Sequence, residues 1–233
     1  MDAGRVEEPS PPLSAGVAVF VKTPGLSPVK TRLAAALGAV WTERAYRLAA
    51  ACVAETLAAS GLPAYWAVAE EDGCDHALWS GLPCLPQGTG TLGARMANVH
   101  PQLTARHGAG IFVGADLPQL EIGDLTAAAA WLAGGDTRHA IGPARDGGFW
   151  LYGGNRIRPR AAWCSVRYSQ EDTARQFVRA IGPGGWKRLP LRTDLDRACD
   201  VAAVRSELSA AGLHAPARRR LAEWLTAAPL PAA

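Results

Sequence analysis

Short apolar runs alternate along this chain with longer stretches of helical periodicity, and this alternation constrains the fold more than any other feature. Strand-like runs are predicted at residues 16–21, 64–70, 111–116, 139–145 and 149–154. Helical stretches with one apolar face lie between them, including a helix predicted to begin at Thr42 and to end at Gly61. Such alternation predicts an α/β fold with a mostly parallel sheet flanked by helices.

Capping residues predict where two later helices begin. Ser169-x-x-Asp172 resembles a capping box, and Asp200 is expected to cap a helix that begins at Val201. Residues 186–196 lie between these two helices and are predicted to form a late strand.

The chain is long enough for one sizeable domain. Of its 233 residues, 48% are hydrophobic and 19% are charged, which permits a large core. Residues 1–13 are predicted to be a mobile tail, 14–214 the domain, and 215–233 a C-terminal helix and tail. A net charge of +3 is too weak to argue for a nucleic-acid or membrane partner, so none is expected, and the basic run 218–220 is expected to face solvent.

The sequence also bounds the cellular setting. No stretch approaches the roughly 20 apolar residues that span a bilayer, and the N-terminus lacks a signal-peptide pattern. Five scattered cysteines without metal-type spacing predict reduced thiols in a cytoplasmic protein. They are Cys52, Cys74, Cys84, Cys164 and Cys199.

Two cations stand where a helix is predicted to begin, in the stretch FVKTPGLSPVKTRLAAALG at residues 20–38. Ser27 is a good N-cap, Pro28 suits the first helical position, and the helix is expected to end at Gly38. Lys30 and Arg32 then lie near the first turn, where free amides and the helix dipole favour an anion. A phosphate or diphosphate is the natural ligand, and the alternative is that both side chains extend into water.

Charged residues follow the ends of several predicted strands. Lys22, Asp116, Asp146 and Asp194 are placed in this way. Ligands of open α/β folds bind beyond the carboxyl ends of the strands, so these residues are candidates for one site. An aspartate after a strand is also a common turn former or helix cap, and that alternative stays open for each of them.

Asp194 and Asp196 are separated by one residue. If this segment is extended, both carboxylates point to one side and Leu195 points to the other side, into the core. The two carboxylates then repel each other unless a cation lies near them. A metal ion shared with Asp116 would relieve that repulsion, and the alternative is that the pair only shapes a turn.

Five motifs in order resemble one known family. They are FVKTPGLSPVKTRL, PQGTGTLGARM, FVGADLPQL, GPARDGGFWL and DLDRACDV. The chain resembles the bacterial DUF2064 proteins, glycosyltransferase-like members of the nucleotide-diphospho-sugar transferase superfamily, over about residues 16–212. The resemblance implies a GT-A-type, Rossmann-like fold with a mixed, mostly parallel sheet.

The resemblance also implies roles for individual residues. Lys22, Lys30 and Arg32 would hold nucleotide phosphates, and Gln87, Gly88 and Gly93 of the glycine-rich loop would bind the nucleotide near its base. The catalytic pair would be Asp116 and Asp146, with Gly147 and Gly148 facing the transferred sugar or the acceptor. A Mg²⁺ or Mn²⁺ ion would be held by Asp116, Asp194 and Asp196.

This sequence departs from the family pattern at Leu117, where family members usually carry a cysteine between Asp and Pro. The resemblance implies a metal-dependent transfer of a sugar from a nucleotide-diphosphate sugar to a small acceptor. Two alternatives remain open at this point. One is a nucleotidyltransferase that joins a nucleoside triphosphate to a phosphorylated small molecule, and the other is a non-catalytic nucleotide-binding module.

Overall fold

A computed structural model describes residues 15–229 and shows a seven-stranded sheet with helices on both faces. The predicted α/β fold with a mixed, mostly parallel sheet is therefore confirmed. The predicted N-terminal tail at residues 1–13 lies outside the described residues. Within residues 15–229, no helix is both long and apolar enough to cross a membrane.

The strands follow the order β3-β2-β1-β4-β6-β5-β7 across the sheet. Strand β6 runs antiparallel to its neighbours β4 and β5, and every other pairing is parallel. The carboxyl ends of β1, β2 and β4 therefore meet the start of β6 at one edge of the sheet. The bounds are β1 Ala15–Val21, β2 Ala64–Val68, β3 Cys84–Pro86, β4 Ala109–Gly114, β5 Arg138–Pro143, β6 Phe149–Gly154 and β7 Gly185–Arg188.

Eight α-helices are found among residues 15–229. The predicted helix ends at Gly38 and Gly61 are confirmed, and both glycines have positive φ. The bounds are α1 Thr31–Leu37, α2 Ala39–Ser60, α3 Leu92–His107, α4 Ile122–Leu132, α5 Arg160–Cys164, α6 Thr173–Ile181, α7 Asp200–Ala210 and α8 Pro216–Thr226.

The predicted starts of α2 and α6 are wrong. Helix α2 begins at Ala39 and leaves Thr42 buried within it, because Gly38 both ends α1 and starts α2. The capping box at residues 169–172 does not form. Ser169 has a left-handed φ of 63°, and the amide of Gln170 donates to the hydroxyl of Thr173 instead (3.0 Å).

The core has a layer on each face of the sheet, set by alternation along the strands. Val17 and Val19 of β1 pack with α2 and α4, and Ala18 packs on the other face with α3, α5 and α6. A third cluster joins α1, α2, α7 and α8. The predicted solvated face at residues 218–220 is wrong for Arg218, which is buried and donates to the carbonyl oxygens of Ala211 and Leu120.

The predicted late strand is shorter than expected. Strand β7 ends at Arg188, and after Pro190 only one isolated bridge continues the pairing, between Ala144 and Arg192. Proline has no amide hydrogen to donate to a neighbouring strand, which explains the interruption. The chain nevertheless stays beside the sheet edge, because the amide of Arg145 donates to the carbonyl oxygen of Arg192 (3.0 Å).

The prediction of five reduced thiols is wrong for two of the cysteines. Cys74 and Cys84 form a disulfide, with their Cα atoms 5.6 Å apart. The disulfide joins the turns after β2 to the edge strand β3. No spacing motif in the sequence indicates that these two segments lie close together. Cys52, Cys164 and Cys199 are free thiols. The cysteines therefore no longer support the predicted cytoplasmic location.

We expect acid to destabilise the protein through a buried histidine. His100 is buried and neutral, since burial lowers its pKa to about 4, so the unfolded chain binds more protons than the folded one between pH 6.5 and pH 4. The free energy of unfolding should fall over this range, by up to about 3 kcal/mol from this group. Urea unfolding of wild type and His100→Phe across that range checks this. An equally steep decline in the variant would contradict the role of His100.

Candidate active site

A cleft of about 630 Å³ opens at the sheet edge where the parallel strands end. It collects residues from remote parts of the chain, because β1 and β4 end there and the antiparallel β6 begins there. Nine of the predicted site residues line it. They are Lys22, Lys30, Arg32, Gln87, Asp116, Asp146, Gly148, Asp194 and Asp196.

The loop after β1 is held by three residues that sequence reasoning did not select. Tyr46 of α2 accepts from the Lys22 amide and donates to the Lys22 carbonyl oxygen, both at 3.0 Å. The carboxylate of Glu70 accepts from the amide of Thr23 (2.8 Å), and the indole of Trp79 donates to the Thr23 hydroxyl (2.9 Å). These contacts span up to 56 residues, so they leave no local sequence signal.

Helix α1 does not begin at the predicted cap. Neither Ser27 nor Pro28 starts it; the helix begins at Thr31, and Lys30 occupies the N-cap position with a left-handed φ of 47°. Lys30 and Ser169 are the two non-glycine residues with positive φ in the described part of the chain, and both line the cleft. Backbone conformations of this kind concentrate at functional sites. The tertiary partners of Lys30 explain the shift.

The Lys30 ammonium group lies among aspartates from distant segments. It forms an ion pair with Asp116 and lies 3.6 Å from Oδ1 of Asp196. Arg32 donates from Nη1 to Oδ2 of Asp196 (3.0 Å). The carboxylates come together because the amide of Leu195 donates to the carbonyl oxygen of Asp116 (3.1 Å). Of the three cations predicted to bind phosphate, Lys30 and Arg32 are therefore paired with carboxylates in the free protein.

The predicted arrangement of the late aspartates is confirmed. Asp194 and Asp196 both line the cleft, whereas Leu195 is buried in the cluster of α1, α7 and α8. Burial raises the pKa of Asp194 well above its ordinary value, Asp116 raises it further, and Lys30 opposes this rise. Burial alone would lower the pKa of Lys30, but Asp116 raises it above the ordinary value.

The donor set suits a hard divalent cation with few protein ligands. Within residues 15–229, no three Asp, Glu, His or Cys side chains are grouped closely enough to hold a metal ion. Asp116, Asp194 and Asp196 thus form no complete ligand cage, since Arg32 and Lys30 engage Asp196. Oδ1 of Asp194 is nevertheless buried without a hydrogen-bond partner near Asp116. Two carboxylates fit Mg²⁺ or Mn²⁺, which takes its other ligands from phosphate and water.

Asp146 also lines the cleft, from the turn between β5 and β6, and its charge acts on Asp194. It is exposed, and its Oδ1 accepts from the amide of Gly148 (2.8 Å). This bond holds the side chain in place and leaves Oδ2 without a protein partner among the described residues. Asp146 can therefore accept a proton or a hydroxyl hydrogen bond from a ligand in the cleft.

Three of the predicted ligand-binding residues, Gln87, Gly93 and Gly147, make structural contacts. The amide nitrogen of Gln87 donates to the carbonyl oxygens of Val21 and Ala67, so both of its hydrogens are already engaged. Gly88, Gly93 and Gly147 do not line the cleft. A Cβ at Gly93 would lie 2.3 Å from the carbonyl oxygen of Trp163, so this glycine permits close packing of α3 on α5. These residues were predicted from a family resemblance, which carries no information on burial.

Gly147 serves the turn rather than the ligand. Its φ is 88°, and a Cβ there would lie 1.9 Å from the carbonyl oxygen of Glu171. The carbonyl oxygen of Gly147 accepts from the amide of Ala174 (2.9 Å). The turn that carries Asp146 is thereby packed on the segment before α6, and the two form one wall.

Asp200 supports this site without lining it. The structure places it as the first residue of α7 rather than as its cap, and its Oδ2 accepts from the amides of Asp196 (3.2 Å) and Arg197 (2.6 Å). We expect Asp200→Ala to lower stability by about 1 kcal/mol, which chemical denaturation measures. Nucleotide affinity should be largely kept, whereas Asp194→Ala should impair turnover. Equal loss of turnover in both variants would contradict this division.

The sheet order and the cleft at its carboxyl edge define an α/β protein with an open, mostly parallel sheet. The chain superposes with a TM-score of 0.74 on a protein of Desulfovibrio desulfuricans G20 described as a candidate nucleotide-diphospho-sugar transferase. Identity is 22%, and the match covers 91% of this chain and 96% of the other. At this identity, the likeness shows the fold alone.

The chain belongs to the DUF2064 family, described as uncharacterized proteins conserved in bacteria, whose model matches residues 45–170. That span includes Asp116 and Asp146 and excludes Lys30 and Asp194. Rv0371c of Mycobacterium tuberculosis H37Rv is a weaker likeness, at 13% identity and a TM-score of 0.48, covering 82% of this chain and 97% of the other. No curated protein matches the chain.

Proposed function

We propose that this protein is a metal-dependent transferase that moves a sugar from a nucleotide-diphosphate sugar to a small acceptor. One observation carries the proposal: cations from the loop after β1 and aspartates from three other segments meet in a single cleft at the carboxyl edge of the sheet. Opposite charges in one cleft suit a diphosphate that needs both fixed cations and a metal ion.

The donor diphosphate would be bound by Lys22, Lys30 and Arg32. All three line the cleft, and Lys22 is exposed and free to turn toward a ligand. Lys30 and Arg32 would exchange their aspartate partners for phosphate oxygens, with which ammonium and guanidinium groups form charge-assisted hydrogen bonds. This positive charge would stabilise the nucleoside diphosphate as it leaves.

Asp116 and Asp194 would hold Mg²⁺ or Mn²⁺ at the diphosphate. When bound, the metal ion would neutralise charge on the phosphate oxygens of the leaving group. The departure of Lys30 toward phosphate would leave Asp116 open to the ion. Oδ1 of Asp194, buried and without a hydrogen-bond partner, would gain a cationic partner there.

Asp146 would act on the acceptor. In an inverting transfer, Oδ2 of Asp146 takes the proton of the acceptor hydroxyl while the acceptor oxygen forms a bond to the anomeric carbon. The bond from that carbon to the diphosphate oxygen breaks, and the nucleoside diphosphate leaves with the bonding electrons. In a retaining transfer, Asp146 would orient the hydroxyl instead.

A thermal-shift screen tests the proposal. Nucleotides and nucleotide sugars would be added with and without Mn²⁺, because a ligand that binds the folded protein raises its apparent stability. We expect a nucleotide sugar to raise the melting temperature and Mn²⁺ to increase the effect. If no nucleotide shifts the melting temperature under any metal condition, the proposal fails.

Product analysis with the stabilising ligand separates the reaction classes. Free nucleoside diphosphate would support glycosyl transfer. Release of pyrophosphate from a nucleoside triphosphate would contradict glycosyl transfer and indicate nucleotidyl transfer. Binding without turnover, across a panel of alcohol and phosphorylated acceptors, would favour a non-catalytic nucleotide-binding module.

A further inference from the structure

We infer that the wall formed by Asp146, Phe149, Tyr168 and Ser169 is the acceptor subsite, and that it takes an alcohol or phenol carried on an apolar or aromatic body. These four residues line the same cleft as the cation-bearing loop after β1. The inference rests on the proposed function for the identity of the reaction, but binding at the wall can be tested without turnover.

The acceptor wall is one continuous surface because two segments pack on each other. The turn that carries Asp146 contacts the segment before α6 at Gly147, whose carbonyl oxygen accepts from the amide of Ala174 (2.9 Å). Phe149 follows that turn at the start of β6, and Tyr168 and Ser169 lie in the facing segment. A carboxylate is thereby placed beside two partly exposed aromatic rings.

The rings of the wall are fixed from behind. Phe149 packs on Phe177 of α6 with ring centroids 4.5 Å apart. The hydroxyl of Tyr168 donates to the carbonyl oxygen of Trp163 (2.9 Å), which turns the polar end of the side chain away and leaves its ring to line the cleft. Fixed rings bind a flat or apolar group without losing much conformational entropy.

Two polar side chains beside these rings, Trp150 and Thr173, are already engaged, whereas the exposed Ser169 hydroxyl and the Gln170 amide line the cleft. The indole of Trp150 donates to the carbonyl oxygen of Pro190 (3.0 Å), and the Thr173 hydroxyl donates to the carbonyl oxygens of Gln170 (2.8 Å) and Arg167 (3.1 Å). Against the two ring faces themselves, a polyol or a nucleobase would place polar edges that find no partner there, which costs affinity. An apolar body has no such requirement, and its single hydroxyl finds Oδ2 of Asp146.

The backbone of Ser169 provides independent support for a functional wall. Its left-handed φ of 63° is unusual for serine and is found in the segment that faces Asp146. This conformation turns the chain between Tyr168, whose hydroxyl donates to Trp163 of α5, and Thr173, which begins α6. The strained residue therefore belongs to the segment that packs, through Glu171, on the turn that carries Asp146.

Binding of 2-naphthol, with glycerol as the polar comparison, tests the inference. We expect saturation-transfer NMR to detect 2-naphthol on the wild type, with glycerol giving no saturable signal. Tyr168→Ala and Phe149→Ser should each weaken 2-naphthol binding at least about tenfold, because a ring that contacts the ligand is lost. Tyr168→Phe keeps the ring and should retain binding. Ile157→Ser, at an exposed apolar position away from the cleft, is the matched control.

Several outcomes would overturn the inference. Equal 2-naphthol affinity in Tyr168→Ala, Phe149→Ser and wild type would show that the rings do not bind it. Glycerol binding as tight as that of 2-naphthol would contradict the apolar class, and displacement of 2-naphthol by uridine or guanosine would assign the wall to the nucleobase. Nucleotide binding without 2-naphthol binding would refute this subsite alone. Binding of 2-naphthol without any nucleotide binding would refute the proposed function alone. Circular dichroism confirms that each variant is folded.

Discussion

Lys30→Met is expected to lower the affinity for a nucleoside diphosphate by at least about tenfold, since each charge-assisted bond to phosphate contributes about 1.5–3 kcal/mol. Methionine keeps the length and apolar stem of the side chain and removes only the charge. Arg32→Ala should also weaken binding. Isothermal titration calorimetry with a nucleoside diphosphate, in the presence and absence of Mn²⁺, measures the loss.

The same substitution should affect the free protein, because Lys30 is paired with Asp116 and lies near Asp194 and Asp196. Its removal leaves Asp116 and Asp194 without a neighbouring cation, whereas Asp196 keeps Arg32, so the variant should unfold more easily while remaining folded at room temperature. Lys187→Met, on β7 and outside the cleft, is the control for a lost lysine charge. Unchanged nucleotide affinity in both Lys30→Met and Arg32→Ala would remove these residues from the phosphate site.

Asp116→Asn is expected to abolish the stabilisation that Mn²⁺ adds to a bound nucleotide. Asparagine has nearly the same size but lacks the charge that a hard divalent cation requires. Thermal melting with nucleotide, with and without Mn²⁺, provides the measurement. The free variant should remain folded, because Lys30 keeps Asp194 and Asp196 as neighbours.

Asp136→Asn is the matched control for this substitution, since Asp136 is exposed and does not line the cleft. It should melt and bind like the wild type under every condition. If Mn²⁺ raises the melting temperature of nucleotide-bound Asp116→Asn as much as that of the wild type, the metal ion is bound elsewhere. Loss of nucleotide binding in the absence of Mn²⁺ would instead show that Asp116 acts mainly by orienting Lys30.

Many residues that line the cleft could be predicted, because apolar runs in the sequence show where the strands end. Apolar runs end just before Lys22 and Asp116, and parallel strands bring such ends to one edge. Period-two alternation correctly placed Asp194 and Asp196 on one side and Leu195 in the core. These are properties of short segments, so the sequence carries them directly.

Other predictions failed because a distant partner decides the outcome. The start of α1 moves from the predicted cap to Thr31, since Lys30 turns into the cleft to meet Asp116, a residue 86 positions later. Ser169 adopts a left-handed conformation rather than a capping box where its segment packs on the turn at Gly147. The Cys74–Cys84 disulfide likewise joins two segments that meet only once β3 adds to the sheet.

The sequence by itself determined the α/β class, the glycine helix ends and the sheet edge at which charged residues gather. Only the tertiary structure decided that Lys30 and Arg32 are paired with aspartates. It also decided that the amide nitrogen of Gln87 donates to backbone carbonyl oxygens and that Tyr46 holds the loop after β1. Periodicity and capping act over a few residues, whereas ion pairs and buried hydrogen bonds depend on which segments the fold brings within a few ångströms of each other.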